Sequence, residues 1–189
     1  MRLTLATHND HKLSEFARLL PGYELVALPA GSEAPLEDGD SFAANALIKA
    51  RAGAAISGSP TVADDSGICV ERLAGAPGIL SARWAGEQCD DAANLEKLIE
   101  QTEPGDRLEY ICAIAYCDPQ SGTEKVVEGS CLGVRAAEPR GSGGFGYDPA
   151  FEPAGAPGQT MAELSGDEKD RISHRGNAVR QLRELLGDR

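Results

Sequence analysis

The sequence is poor in basic residues and has no long hydrophobic run. Its 189 residues include 18 Lys and Arg against 30 Asp and Glu, which gives a formal net charge of −12 at pH 7. Binding to a nucleic-acid backbone depends on clustered cations, so this charge balance argues against a nucleic-acid partner. No window approaches the roughly 18 apolar residues that indicate a transmembrane helix. A small anion is still a compatible ligand, because a local pocket of Lys, Arg and metal can be positive on an acidic protein.

The five cysteines follow no disulfide or zinc pattern. They are odd in number and no two of them are spaced as C-x-x-C. Met1-Arg2-Leu3 leads directly into a strand-like segment, without the basic and apolar regions of a signal peptide. We therefore expect a cytoplasmic, soluble protein without a membrane partner, folded as one domain over residues 1–189.

Hydrophobic periodicity predicts strands and helices that alternate in the first part of the chain. Predicted strands cover 3–6 and 23–28, and predicted helices lie at about 13–20, 41–58, 90–100 and 175–186. Ser41 is the predicted N-cap of the second helix. Two long β segments, 108–117 and 125–134, flank Asp118-Pro119-Gln120-Ser121-Gly122, which is a hairpin signal. This arrangement predicts an α/β protein with a mixed sheet rather than a purely parallel one.

Two adjacent acids, Asp64 and Asp65, are the most informative feature of the chain. They follow the apolar segment 60–63 and precede Ser66-Gly67, after which 68–70 resembles a second strand. We predict that the acids lie at a strand end, on the rim of the sheet. Their hard oxygen ligands suit Mg²⁺ or Mn²⁺. The alternative is a turn in which one aspartate hydrogen-bonds its own backbone.

A polar segment separates the first predicted strand from the first predicted helix, and it reads Thr7-His8-Asn9-Asp10-His11-Lys12. Free backbone N–H groups and the helix dipole favour a phosphate at such a position, and Lys12 adds a positive charge. The alternative is a plain helix start with Thr7 or Asn9 as the N-cap. The placement of the two histidines does not indicate a metal site.

A glycine-rich segment, 140–149, has four glycines around Phe145. Its backbone can approach a ligand closely, Phe145 offers a flat face to a planar base, and Asp148 can hydrogen-bond. Further donors that could hold a polar ring are Lys169, His174 and Arg175. The alternatives are a loop that packs Phe145 and Tyr147 onto the core, a histidine at a helix start and a surface arginine.

Seven motifs occur in order between Thr7 and Arg175: T-H-N-x-x-K, an acidic loop with Glu37, S-F-x-x-N-A, A-D-D-S-G, G-A-P-G-I-x-S-A-R, G-G-F-G-Y-D-P and E-K-x-x-x-S-H-R. Their order resembles the inosine/xanthosine triphosphate pyrophosphatase family. The resemblance implies an elongated, mixed-sheet α/β fold with two lobes around a central cleft, and a homodimer. It also implies Mg²⁺-dependent hydrolysis of dITP, ITP and XTP to the monophosphate and pyrophosphate, which removes deaminated purines from the nucleotide pool.

The resemblance also implies roles for individual residues. The metal ligands fall on Glu37 and Asp65, and Asp65 is also the proton acceptor. The substrate contacts fall on Thr7, His8, Asn9, Asp10, His11 and Lys12 for the phosphates, on Ser66, on Phe145, Gly146, Tyr147 and Asp148 for base and sugar, and on Lys169, His174 and Arg175 for the ring edge. Lys49 is a weaker assignment to the phosphates.

A 6-keto purine presents an acceptor at O6 where adenine presents an amino donor. Protein donors at the ring edge therefore favour the 6-keto purine and leave adenine poorly paired. For the reaction itself we expect in-line attack of water on the α-phosphorus, with help from the metal. Asp65 would position or deprotonate that water, and Lys12 would stabilise developing charge.

The chain departs from the family pattern at His8, where glycine is frequent, and at Ala44, where an acid usually precedes Asn45. We expect weaker organisation around the metal but retained activity, because Glu37 and Asp65 are present. Two other functions are compatible with the motifs. One is a Maf-like (septum-inhibitor) pyrophosphatase acting on modified pyrimidine nucleotides, and the other is a nucleotide sensor without catalysis.

Overall fold

A computed structural model describes residues 1–187, which form six strands and five α-helices. The strands are β1 (Arg2–Leu5), β2 (Glu24–Ala27), β3 (Thr61–Val70), β4 (Arg107–Asp118), β5 (Thr123–Arg135) and β6 (Phe151–Pro153). The helices are α1 (Asp10–Leu19), α2 (Phe42–Ser57), α3 (Asp91–Gln101), α4 (Gly166–Ile172) and α5 (His174–Leu185). Within the described range, no helix has the length and apolar character needed to cross a membrane.

The six strands form one sheet in the order β2-β1-β3-β4-β5-β6. Strand β1 pairs in parallel with β2 and β3, whereas β5 pairs antiparallel with β6. Residues 119–122 join β4 to β5, and a connection this short can only link antiparallel neighbours. The predicted mixed α/β sheet and the predicted hairpin are therefore confirmed.

The two acids lie inside β3, and the prediction that they end a strand at the rim of the sheet is wrong. Strand β3 runs without interruption from Thr61 to Val70, so Ser66-Gly67 forms no turn. Gly67 instead allows the backbone of Gly78 to approach β3 closely, because a Cβ at position 67 would lie 2.6 Å from the carbonyl oxygen of Gly78. The backbone N–H of Ile68 donates to Ser81 Oγ at 2.9 Å across the same contact. Tertiary packing, not a turn, explains this glycine.

The chain divides into two compact units, each assembled from separate segments. The first unit comprises Met1–Asp65, Cys112–Gly129 and the chain from Ala178 onward, and the second comprises Ser66–Ile111 and Ser130–Asn177. Each unit has its own hydrophobic core. The first core includes Leu3, Leu5, Phe16, Val62, Ile114 and Leu182, and the second includes Ile68, Leu98, Leu108, Tyr110, Phe151 and Met161. The single domain over 1–189 and the cleft between two lobes stay predictions.

Helix α4 and strand β6 were not predicted from periodicity, because both are short. Helix α4 begins with a capping box in which Ser165 Oγ accepts from the N–H of Glu168 and the Glu168 carboxylate accepts from the N–H of Ser165. This S-x-x-E signal was present in the sequence. The predicted start of the last helix is confirmed, since α5 begins at His174.

Candidate functional site

Three carboxylates and two lysines of the first unit form a cluster, which we call the carboxylate cluster: Glu37, Asp64, Asp65, Lys12 and Lys49. Lys49 Nζ lies 3.1 Å from Glu37 Oε2 and 3.0 Å from Asp65 Oδ1. Lys12 Nζ lies 2.9 Å from Asp64 Oδ2. The adjacent acids of β3 thus bind different lysines, one from α1 and one from α2.

Helix α2 places Asn45 and Lys49 one turn apart on the same face. The helix begins at the predicted N-cap, Ser41, whose hydroxyl accepts from the N–H of Ala44 at 3.2 Å. Asn45 Nδ2 donates to Asp65 Oδ2 at 3.2 Å, and Asn45 Oδ1 accepts from the N–H of Gly39 at 2.9 Å. Asn45 therefore ties the acidic loop to β3. The sequence motif S-F-x-x-N-A contained this residue, but its role was not predicted.

Burial and neighbouring charges have opposite effects on the pKa values of Lys49 and Asp65 in the carboxylate cluster. Burial disfavours the charged form of Lys49, but Asp65, Asp64 and Glu37 together outweigh it and raise the pKa of Lys49. For Asp65, burial is the largest influence, and it raises the pKa of this carboxyl above 3.8 even though Lys49 and Lys12 favour ionisation. An additional cation beside Asp65 would therefore stabilise its ionised form.

The arrangement of Glu37 and Asp65 fits a divalent cation shared with a ligand. Each carboxylate accepts a hydrogen bond from the Lys49 ammonium, so the position between Glu37 and Asp65 is occupied by a side-chain cation. Among residues 1–187 the structure contains no group of three or more His, Cys, Asp or Glu side chains that could hold a metal ion. Mg²⁺ is commonly held by one or two carboxylates together with water and substrate phosphates. Two protein carboxylates are therefore sufficient for this ion when a phosphate completes the site.

The segment 7–12, which leads into the first turn of α1, combines a helix cap with Lys12, which reaches Asp64. Asn9 is the N-cap, and its side chain accepts from the N–H groups of His11 at 2.9 Å and Lys12 at 3.1 Å. Thr7 Oγ1 accepts from the N–H of Asn9 at 3.2 Å. The N-cap interpretation therefore holds for Asn9, while the Lys12 side chain extends to Asp64. Two more members of this segment, Asp10 and His11, are exposed.

His8, the first departure from the family pattern, is exposed, and its Nε2 lies 3.2 Å from the carbonyl oxygen of Ser32. This contact connects the start of α1 to the loop after β2. The phosphate-binding role of the whole segment stays a prediction. From this segment the structure brings the Lys12 side chain to the carboxylate cluster.

Five residues of the second unit form another cluster, which we call the ring cluster: Phe145, Asp148, Lys169, His174 and Arg175. Lys169 Nζ donates to Asp148 Oδ2 at 2.6 Å, and the backbone N–H of Phe145 donates to the same oxygen at 3.0 Å. Lys169 Nζ lies 5.1 Å from the centre of the Phe145 ring, and the Arg175 guanidinium carbon lies 5.9 Å from it. A half-buried aromatic ring is thus placed beside two cationic donors.

The ring cluster is held by buried neighbours. Arg175 is 1 % exposed and donates to Ser66 Oγ at 2.9 Å. Tyr147 lies in the core of the second unit, where its hydroxyl donates to the carbonyl oxygen of Ser81 at 2.7 Å. The N–H of Gly146 donates to Asp91 Oδ2 at 3.1 Å. The glycine-rich segment is therefore fixed by specific hydrogen bonds, and Tyr147 packs onto the core as the alternative interpretation had it.

Gly144 shows why this segment needs glycine. Its φ of +70° lies in the left-handed region, and a Cβ at this position would collide with the carboxylate of Asp148. Any side chain at Gly144 would therefore disturb the oxygen that binds Lys169 and the Phe145 amide. The glycine-rich sequence permits the Asp148 contacts.

The chain is similar to known proteins along almost its whole length. The Ham1 family profile matches residues 3–185. A dITP/XTP pyrophosphatase of Streptomyces avermitilis is 48% identical over 200 residues, covering 98% of this chain and 99% of the relative. A dITP/XTP pyrophosphatase of Corynebacterium glutamicum is 48% identical over 202 residues, covering 98% and 97%.

Solved structures of other proteins are also similar to this chain over almost its whole length. The Ham1 protein of Staphylococcus aureus aligns with a TM-score of 0.85 at 36% identity, covering 99% of this chain and 98% of that one. A nucleoside-triphosphatase / dITP/XTP pyrophosphatase of Mycobacterium abscessus aligns with a TM-score of 0.74 at 44% identity, covering 98% and 100%. The resemblance inferred from the seven motifs is confirmed, and the chain belongs to the Ham1 family.

Proposed function

We propose that the protein hydrolyses deaminated purine nucleoside triphosphates, namely dITP, ITP and XTP, to the monophosphate and pyrophosphate. The observation that carries this proposal is 48% identity, over 98% of the chain, to proteins named dITP/XTP pyrophosphatases. In the cell this activity would cleanse the nucleotide pool. The carboxylate cluster and the ring cluster supply the chemical groups that such a reaction needs.

Recognition of the purine ring is assigned to the ring cluster. Phe145 offers an aromatic ring for stacking, and the donors Lys169 and Arg175 lie over this ring. Donors that meet the O6 acceptor of a 6-keto purine would meet the amino group of adenine, which accepts nothing. An unpaired buried donor costs binding free energy, so adenine nucleotides are disfavoured.

The triphosphate is assigned to the carboxylate cluster, with Mg²⁺ held by Glu37 and Asp65 and with Mn²⁺ as a substitute. When bound, the ion would withdraw charge from the phosphoryl oxygens and lower the pKa of a coordinated water. Lys12, which Asp64 orients, would neutralise phosphate charge. Asp65 would accept the proton of the attacking water or orient that water, because it is the partly accessible acid of the β3 pair.

The proposal is tested by measuring pyrophosphate release from ITP, XTP, dITP, dGTP, dATP and a modified pyrimidine triphosphate in the presence of Mg²⁺. We expect dITP, ITP and XTP to be preferred over dATP by at least about tenfold, the range that one unpaired buried donor produces. Because dGTP shares the O6 acceptor, a preference over dGTP would require steric exclusion of its 2-amino group. Equal hydrolysis of all six nucleotides would contradict the proposal. In ¹⁸O-labelled water the label should appear in the monophosphate, and label in pyrophosphate would exclude attack at the α-phosphorus.

Lys49 provides a test of the metal assignment that does not depend on turnover. Its ammonium bridges Glu37 and Asp65, so a divalent cation must compete with it in the free protein. We expect Lys49→Met to bind Mn²⁺ about tenfold more tightly than the wild type, because the acids lose their internal counter-ion. Binding would be measured by calorimetry without nucleotide.

The matched control is Lys125→Met, which makes the same charge change at an exposed position of the first unit. This variant should bind Mn²⁺ as the wild type does. Unchanged or weaker Mn²⁺ binding in Lys49→Met would contradict the assignment of Glu37 and Asp65 as ligands.

We also propose that the protein acts as a cytoplasmic homodimer and binds neither nucleic acid nor membranes. The homodimer is supported by the family resemblance, and the absence of a nucleic-acid partner by the net charge of −12. A monomeric mass in light scattering at working concentration would contradict the homodimer. Retention on a DNA column at physiological salt would contradict the second part.

A further inference from the structure

Tyr110 of β4 contacts the ring cluster through both its face and its hydroxyl. Its ring stacks on the imidazole of His174, with the two ring centres 4.6 Å apart and the planes inclined by 14°. Its hydroxyl lies 3.3 Å from Asp148 Oδ1 and donates to it. One side chain therefore contacts two members of the ring cluster that belong to different segments of the second unit.

Tyr110 is itself firmly placed. It is 6 % exposed, it belongs to the core of the second unit, and its ring centre lies 4.4 Å from that of Phe151. The strand that carries it is twelve residues long and hydrogen-bonded to neighbours on both sides. A stacked ring on such a strand limits the rotation of the partner ring much more than a flexible side chain would.

We infer that Tyr110 is a positioning residue for purine recognition, which sets the plane of the His174 imidazole and holds Asp148 in place. The inference rests on the function proposed above. The inference goes beyond that function because Tyr110 is not assigned a contact with the substrate. Tyr110 would instead act by positioning His174 and Asp148. The near-parallel stack is the stronger of its two contacts, since the hydroxyl distance is long for a bond to a carboxylate.

The physical reason is that discrimination between ring substituents depends on donor position. Donors must lie within about 0.5 Å of their productive geometry, and a displacement of about 1 Å can cost about 100-fold in rate. Asp148 orients Lys169 at 2.6 Å, so a shift of Asp148 moves a second donor as well. Loss of the Tyr110 ring would therefore affect recognition at two points of the ring edge.

The test compares Tyr110→Leu, which removes the stack, with Tyr110→Phe, which keeps it and removes only the hydroxyl. We expect Tyr110→Leu to lower kcat/KM for ITP about tenfold, mainly through KM, and not to lower kcat/KM for ATP, because the donors disfavour adenine rather than bind it. Tyr110→Phe should stay within about threefold of the wild type for both nucleotides. The matched control is Leu108→Ala, which removes core volume two residues away on the same strand.

A second readout needs no substrate. The chain has three histidines, so the ring protons of His174 can be resolved by NMR. Tyr110→Leu should shift them downfield through loss of the stacked ring current, whereas Tyr110→Phe and Leu108→Ala should leave them in place.

The outcomes separate the inference from the proposed function. A wild type that hydrolyses ITP and ATP equally would overturn the proposed function. A selective wild type combined with an equally selective Tyr110→Leu variant would overturn the positioning role alone. Equal losses of selectivity in Tyr110→Leu and Leu108→Ala would also overturn it, because they would reveal a general effect of core packing.

Discussion

Replacing Asp65 by asparagine is expected to lower kcat about 1000-fold, the scale set by loss of a proton acceptor and a metal-ligand charge together. Asparagine has nearly the same shape and can still accept a hydrogen bond from Lys49 or Asn45, which contact the two oxygens of Asp65 at 3.0 and 3.2 Å. The variant therefore removes the charge while leaving the strand in place. Pyrophosphate release from ITP at saturating Mg²⁺ is the measurement.

The raised pKa of Asp65 affects how both stability and kcat/KM depend on pH. Because the native protein binds this proton more tightly than the unfolded chain does, protonated Asp65 stabilises the fold fully below about pH 3.8. That contribution is lost as the pH rises through the raised pKa. Asp65→Asn also removes the negative charge that most favours the charged form of Lys49, so we expect this variant to unfold at a lower temperature than the wild type. The pH dependence of kcat/KM reports groups of the free enzyme. We therefore expect kcat/KM to fall at low pH with an apparent pKa above that of an ordinary aspartate, and we call this fall the acid limb.

The control for this variant is Asp38→Asn, the same chemical change at an exposed position next to Glu37. It should leave kcat, the acid limb and the unfolding temperature unchanged. A fully active Asp65→Asn enzyme would contradict the assigned role. An Asp65→Asn protein that unfolds at the same temperature as the wild type would contradict the coupling between Asp65 and Lys49.

Replacing Lys169 by methionine is expected to lower the free energy of unfolding by about 3–5 kcal/mol, the cost of leaving one partner of a buried ion pair without its counter-ion. The side chains of Lys169 and Asp148 are 7% and 4% exposed, and Nζ and Oδ2 are 2.6 Å apart. Methionine fills most of the same volume, so the loss comes from the buried Asp148 carboxyl group, which no longer has its cationic partner. Urea unfolding followed by circular dichroism measures the effect.

A double-mutant cycle separates the charge from the packing. Lys169→Met combined with Asp148→Asn should be more stable than Lys169→Met alone, since the second change removes the buried charge that the first one isolates. Lys97→Met is the control for the loss of a lysine in the second unit, because Lys97 donates to the carbonyl oxygen of Trp84 and not to a carboxylate. A double variant less stable than Lys169→Met would show that the pair is not held by charge.

Much of the fold could be predicted from local patterns, and the exceptions have physical causes. Ser41, the helix after it and the long hairpin were predicted correctly, because N-cap preference, propensity and turn signals act over a few residues. The continuous β3 was not, because Ser66-Gly67 is typical of a turn unless one knows that Gly67 packs on Gly78. That contact joins residues eleven positions apart, beyond the few residues that a turn pattern covers.

For the candidate site, the sequence predicted which residues are involved but not how they contact one another. Motif order identified the residues that gather in the carboxylate cluster and the ring cluster, but it did not predict which lysine binds which acid. Asn45 was quoted within a motif, and its role became visible only through its bonds to Gly39 and Asp65. Tyr110 carries no sequence signal at all, because an aromatic residue in a strand is an ordinary core residue.

Each of the two clusters lies wholly within one compact unit, and this has a consequence for divergence among relatives. Natural variation at Lys169, His174 or Arg175 could retune which nucleobase is accepted without touching the lysines and acids assigned to phosphate chemistry. Selection could thus redirect such a protein to a new damaged nucleotide through substitutions in one segment of the chain, while the hydrolytic apparatus is inherited intact.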